Sequence, residues 1–257
     1  MNSFYYFNAE LTHQAKARRS GLEEGFASST LLWYTSHSMN TELLNQLKIN
    51  EIFYSIQGES SYAGERTVFI RTTGCNLRCT YCDTKYSYYE GQMMTLDSVM
   101  DVVRSHEAEY VCITGGEPLL QKDIHTLIHK LCDENYKVSL ETSGSKSIEF
   151  VDPRVKIILD VKTPDSGAAN SFLLKNINFS TETTEYKFVI GSEKDLNWSE
   201  EFCRQHDLLK KFTILYSPSH GQVAESWLAE RILQKRLKVR LQLQQHKYIW
   251  LPTTRGV

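Results

Sequence analysis

The sequence predicts an α/β fold, an open and partial (incomplete) parallel β/α barrel, and three observations lead there. From about residue 49 onward, strand-like apolar runs alternate with amphipathic helical segments, a pattern of βαβ units. Crossovers between parallel strands are right-handed, so successive strands place their C-terminal ends on one side, and the unusual polar residues follow those ends. Roughly six core strands are legible, too few for a closed eightfold barrel.

Taken in order, residues 51–60 read as a short strand running into a polar loop that contains Gly58. A strand follows at Arg66–Thr72 and ends in a cysteine loop, Gly74-Cys75-Asn76-Leu77-Arg78-Cys79-Thr80-Tyr81-Cys82-Asp83-Thr84. Leu96, Val99, Met100 and Val103 recur at helical spacing behind Thr95, a natural N-cap. A strand at 110–114 ends in Gly115-Gly116-Glu117-Pro118, and Ile124, Leu127, Ile128 and Leu131 mark the next amphipathic helix. Strands at 137–141 and Lys156–Asp160 end in Thr142-Ser143-Gly144 and Val161-Lys162-Thr163-Pro164. Two more strands at Glu185–Ile190 and 212–216 alternate with helical segments near 196–206 and 223–236. A last strand near 239–243 leads into Gln245-His246-Lys247-Tyr248.

Residues 1–38 differ from the rest. They mix aromatics, serines and a small basic cluster (Lys16, Arg18, Arg19) without sustained periodicity, and read as a disordered extension or an over-extended start. They contain no apolar stretch followed by a small-residue cleavage site, and Glu10, Glu23 and Glu24 interrupt any transit-type pattern. Residues 39–257 then form one domain without internal repeats.

Composition narrows the function. At 41% hydrophobic and 23% charged residues the chain is an ordinary globular one, and its net charge of -2 argues against a nucleic-acid footprint. No run reaches the ~18 apolar residues of a membrane span. Cys112, Cys132 and Cys203 lie singly in apolar patterns and read as core residues, not as a secreted disulfide framework. A cytoplasmic location is the expectation.

Chemistry concentrates in the cysteine loop. Cys75, Cys79 and Cys82, spaced C-x3-C-x2-C, bring three thiolates to one centre with a fourth position open. A structural zinc site normally takes four protein ligands, often from two separated pairs, and no second pair follows; Asp83 or a distant histidine would have to complete it. An iron–sulfur cluster held by three cysteines keeps one iron open for another ligand. Gly115-Gly116-Glu117-Pro118, one strand and one helix later, allows close backbone approach to a ligand, or is simply a strand-to-helix turn.

Together these two motifs resemble the radical S-adenosylmethionine superfamily. That resemblance implies a 4Fe-4S cluster whose open iron binds S-adenosylmethionine, and radical chemistry started by the reduced cluster. A closer resemblance spans residues 49–252. Asn50-Glu51-Ile52-Phe53, Ile56-Gln57-Gly58-Glu59, Phe69-Ile70-Arg71, Cys82-Asp83-Thr84-Lys85, Ile113-Thr114-Gly115-Gly116-Glu117-Pro118, Glu141-Thr142-Ser143-Gly144 and Gln245-His246-Lys247-Tyr248 are similar to motifs of the 7-carboxy-7-deazaguanine synthase family. Its members convert 6-carboxy-5,6,7,8-tetrahydropterin to 7-carboxy-7-deazaguanine with loss of ammonia, in queuosine and 7-deazapurine biosynthesis.

Carried over residue by residue, the resemblance implies cluster ligation by Cys75, Cys79 and Cys82, and magnesium on Thr84. It implies S-adenosylmethionine contacts at Tyr81, Cys82, Asp83, Gly115, Gly116, Glu117, Ser143, Asp160, Val161, Lys162 and Ser217. It implies pterin contacts at Ile56, Gln57, Gly58, Glu59, Arg71, Thr114 and His246. Mg2+, an electron donor such as flavodoxin, and a homodimer are implied with them, and no side-chain acid or base. The sequence after the sixth strand matches the family only loosely, so Ser217 rests on the weakest correspondence. Two other readings stay open at this point: a glycyl-radical activase, which leaves residues 56–59, 82–85 and 245–248 unexplained, and a zinc-stapled module without catalysis.

Overall fold

The computed structural model describes residues 45–251 and 254–257, so the proposed extension at 1–38 lies outside the described residues. These residues form one compact unit. Its frame is a nine-stranded sheet: β1 (Gln46–Ile56), β2 (Arg66–Thr72), β3 (Gln92–Thr95), β4 (Tyr110–Gly115), β5 (Lys137–Thr142), β6 (Lys156–Asp160), β7 (Glu185–Ile190), β8 (Thr213–Pro218) and β9 (Arg240–Leu241). The order is β3-β1-β2-β4-β5-β6-β7-β8-β9; β1 pairs antiparallel with β2 and β3, and every pair from β2 onward is parallel. The sheet is open, as the strand count predicts.

The helices form for the reasons the pattern suggests. In α1 (Leu96–Arg104) the Thr95 hydroxyl accepts from Ser98 N–H, and Leu96, Val99, Met100 and Val103 face inward. In α2 (Ile124–Asp133) the inward stripe is Ile124, Leu127, Ile128, Leu131 and Cys132. A short α3 (Asn176–Phe179), then α4 (Glu193–Gln205), capped by Ser192, and α5 (Glu225–Gln234) complete the crossovers, and α6 (His246–Ile249) is a single turn near the end. Cys112, Cys132 and Cys203 are buried free thiols, as their apolar surroundings predict.

Three elements differ from the sequence reading. The first strand starts earlier, at Gln46, because its N-terminal half pairs with β3. That partner, Gln-Met-Met-Thr, is a largely exposed edge strand with weak propensity of its own, so pairing alone defines it. The last strand shrinks to two residues, and His246 opens a helical turn.

Candidate functional site

Beyond the C-terminal strand ends lies a cavity of about 710 Å³. Side chains alternate along strands, so Phe69 and Arg71 on β2, Ile158 and Asp160 on β6, and Lys187 and Val189 on β7 all reach the same side and line it.

The cysteine loop forms one wall and is tied down along its length. Gly74 N–H donates to Ser87 O at 2.9 Å, Thr80 N–H to Ser166 O at 3.0 Å and the Thr80 hydroxyl to Asp165 O at 2.7 Å. Cys75, Cys79 and Cys82 are free, partly buried, and open onto the cavity. Burial pushes the Cys75 and Cys79 thiols up; Lys162 pulls both down, while the neighbouring cysteines raise them further.

This donor set fits a cluster better than a single ion. A structural zinc site takes four protein ligands, whereas the loop offers three thiolates, the number that holds a cubane and leaves one iron open.

The glycine pair meets the loop from the side. Gly116 N–H donates to Thr72 O at 3.2 Å and Glu117 N–H to Gly74 O at 2.8 Å. A Cβ on Gly116 would lie 2.2 Å from Gly74 O and 2.7 Å from the Cys75 Cβ, so only glycine allows this approach. Tyr81, Asp83, Gly115, Ser143, Asp160 and Lys162 line the cavity nearby. Lys162 Nζ stands 3.1 Å from Asp160 Oδ1 and over the Tyr81 ring, 5.8 Å from its centroid.

On the opposite wall Arg71 sits directly across the β1–β2 pair from Glu51. Its Nε donates to Glu51 Oε1 at 2.7 Å, and the Tyr86 hydroxyl donates to the same oxygen at 2.9 Å. Among the described residues no hydrogen bond engages its two terminal guanidinium nitrogens, and Arg71 lines the cavity with that fork. Gln57 is buried, its oxygen accepts from Glu59 N–H at 3.1 Å, and its Nε2 has no partner among the described residues. Such an orphaned donor in a cavity wall is a place for a ligand acceptor. Burial raises the Glu59 carboxyl, but Lys187 and His246 outweigh it and hold the group below the usual carboxylate range. Ile56, Gly58, Thr114 and His246 complete this wall. Gly58 lies so near His246 that a Cβ would sit 2.4 Å from Nδ1, and burial holds the imidazole below its ordinary range against the pull of Glu59. Thr84 also faces the cavity.

Three of the residues proposed for the cofactor are placed elsewhere. The Glu117 side chain is fully buried and accepts from Leu119 N–H, Ser143 N–H, and the hydroxyls of Thr142 and Ser143, at 2.6–3.1 Å. Its carboxylate therefore latches the end of β4 to the end of β5. Val161 turns its side chain into the hydrophobic core, and Ser217 is buried off the cavity wall. Glu117→Ala is expected to strand four buried donors at about 1–3 kcal/mol each, lowering the melting temperature by about 8 °C or more. A side chain reserved for the cofactor would leave that melt unchanged.

Among the wall residues to which the sequence reading gave no site role are Glu141, Lys187, Gln244 and Lys247. Thr114 Oγ1 donates to Glu141 Oε2 at 3.3 Å, and burial together with Glu59 pushes the Glu141 carboxyl up. Lys247 Nζ pairs with Asp83 Oδ2 at 2.7 Å. Lys187 contacts Glu59 and Asp160 at once. A usable signal existed for this lysine: Glu185 and Lys187 are charges at alternate positions of an otherwise apolar central strand.

The chain is similar to known proteins. Residues 69–186 match the Radical SAM superfamily. The 7-carboxy-7-deazaguanine synthase of Chlorobaculum tepidum is 46% identical over 225 residues, which cover 85% of this chain and all of that protein. That of Koribacter versatilis is 41% identical over 226 residues, 82% of this chain and all of the relative. In three dimensions the chain resembles the crystal structure of QueE from Escherichia coli, with a TM-score of 0.66 and 23% identity over 84% of this chain and 99% of that one, a likeness of fold.

Proposed function

This chain belongs to the 7-carboxy-7-deazaguanine synthase family, within the radical S-adenosylmethionine superfamily, and we propose that it performs that family's reaction. It converts 6-carboxy-5,6,7,8-tetrahydropterin to 7-carboxy-7-deazaguanine with loss of ammonia, as a carbon–nitrogen lyase. One observation carries the reading. A single cavity is lined by the three cysteines and the Gly115-Gly116 pair on one side, and by Arg71, Gln57 and Glu59 on the other. An activase or a zinc-held module would not need the second wall.

When bound, the 4Fe-4S cluster and S-adenosylmethionine would supply radical chemistry to the pterin. Cys75, Cys79 and Cys82 hold the cluster; Gly115 and Gly116 admit the methionine end of S-adenosylmethionine, with Ser143, Asp160, Lys162, Tyr81 and Asp83 around it. The free fork of Arg71 grips the pterin carboxylate in two parallel hydrogen bonds. Gln57 Nε2 donates to the pterin ring, the ionised Glu59 accepts from its amino edge, and Thr114 and His246 close the pocket. The Thr84 hydroxyl would offer an oxygen to Mg2+, a hard cation that takes oxygen ligands. An electron donor such as flavodoxin, a homodimer and a cytoplasmic location belong to the same reading. No helix among the described residues is long and apolar enough to cross a membrane.

The test is anaerobic reconstitution to about four irons per chain, followed by incubation with the pterin, S-adenosylmethionine, Mg2+ and a reductant. Formation of 7-carboxy-7-deazaguanine is the expected product; a chain that holds one zinc and makes none would overturn the proposal. Thr84→Ala is expected to raise the Mg2+ concentration for half-maximal turnover about tenfold or more, with S-adenosylmethionine binding little changed. Equal loss of both would make Thr84 structural.

A further inference from the structure

Lys187 is, among the described residues, the lysine of a sheet strand that lines the cavity, and the chemistry above gives it no task. It lies on β7, is 5% exposed, and its ammonium touches two carboxylates, with the Glu141 carboxyl near enough to act on it as well. One is Glu59, from the loop between β1 and β2; the other is Asp160 Oδ2 at 3.2 Å, from the neighbouring strand β6, where Asp160 and Lys187 are register partners. The chain of contacts extends both ways. Glu59 Oε1 accepts from Gln244 Nε2 at 2.8 Å, and Asp160 Oδ1 faces Lys162 Nζ at 3.1 Å.

We propose that Lys187 is a positioning residue shared by the two halves of the cavity, through which the state of Glu59 on the pterin side sets the affinity for S-adenosylmethionine on the Asp160 side. The proposal rests on the reading of Glu59 and Asp160 given above. The physical argument is one of shared charge. Two carboxylates buried this deeply need a cation, and one ammonium on a flexible stem serves both. Whatever removes the charge of Glu59 frees Lys187 to turn wholly to Asp160, neutralising that carboxylate and drawing it from the cofactor. A coupling of this kind requires a physical link with more than one arrangement, and the lysine between two carboxylates is such a link.

The loop that carries Glu59 is anchored to β7 a second time, by Ser61 N–H and hydroxyl on the Glu185 carboxylate, and is closed on itself by Gly64 N–H on Gln57 O at 2.8 Å, so its position does not depend on Lys187 alone. Methionine in place of Lys187 preserves the stem and removes only the charge. Arginine preserves the charge.

The experiment measures the dissociation constant of S-adenosylmethionine for the reconstituted four-iron protein without pterin, in the wild type, Glu59→Gln, Lys187→Met, Lys187→Arg, and Glu59→Gln combined with each lysine variant. Iron content and melting temperature are followed throughout. Glu59→Gln is expected to weaken S-adenosylmethionine binding about fivefold or more in the wild type and in Lys187→Arg, and to change it less than about twofold in Lys187→Met. A merely structural lysine would not make one substitution's effect on a distant ligand depend on another. The proposal is overturned if Glu59→Gln leaves wild-type affinity within about twofold, or if its effect persists undiminished in Lys187→Met. Failure to make 7-carboxy-7-deazaguanine would sink the substrate assignment and leave this comparison readable. A four-iron wild type that binds no S-adenosylmethionine would overturn the cofactor side of the cavity, and the coupling with it.

Discussion

Gly116→Ala is expected to reduce turnover by about 100-fold or more while the sheet remains folded. The new methyl group would meet Gly74 O at 2.2 Å and the Cys75 Cβ at 2.7 Å, both belonging to the cysteine loop. Neither is the free end of a flexible side chain. Gly74 is held by Ser87 O through its N–H and by Glu117 N–H through its carbonyl, so relief must come from moving the loop or the glycine strand end. Overpacking of this kind costs about 1–3 kcal/mol, which a chain of this size survives. The site is less tolerant, because a shift of about 1 Å in a reacting group is worth roughly two orders of magnitude in rate. Iron content, S-adenosylmethionine affinity and the melting curve measured together check the argument. A fall in the first two with a nearly intact melt is the expected result. Unchanged iron loading, affinity and turnover would show that the glycine pair is only a turn.

Arg71→Lys is expected to lower kcat/KM for the pterin by about 100-fold and to leave S-adenosylmethionine affinity within about twofold. The substitution keeps the positive charge, so its effect isolates the fork. Glu51 and Tyr86 fix Arg71 from behind, which leaves two nitrogens aimed at the cavity. Lysine can offer the Glu51 side or the substrate one point charge, not both a bond backward and two forward. Losing hydrogen bonds to a charged group costs about 1.5–3 kcal/mol, and every 1.4 kcal/mol is tenfold. A loss confined to kcat, or one equal for pterin and S-adenosylmethionine, would place the guanidinium away from the pterin carboxylate.

Much of this site was legible because its chemistry is local in sequence. Three cysteines within eight positions, two adjacent glycines and a threonine after the third cysteine read without knowledge of the fold, since one loop presents them together. Helix α1 was equally open: its cap and apolar stripe lie within nine residues and need no distant partner. Strand β3 was closed to such reading because its four residues become a strand only against β1. Glu117 shows the complementary failure. Its motif stands at a strand end, where the pattern puts it, but its carboxylate is claimed by Thr142 and Ser143 at the end of the next strand, which no local pattern announces.

The sequence by itself determined the alternating strands and helices, the cysteine loop with its donor set, and the family resemblance that the relatives bear out. Those follow from residue type and short-range spacing. Only the tertiary structure decided which polar groups share the cavity. Glu59 and Lys187 are separated by 128 positions, and Asp83 meets Lys247 across most of the domain. The reason is that burial of a charge is a property of its surroundings in space. A lysine in an apolar strand is costly until the fold places carboxylates beside it, and the order of the strands is what places them there.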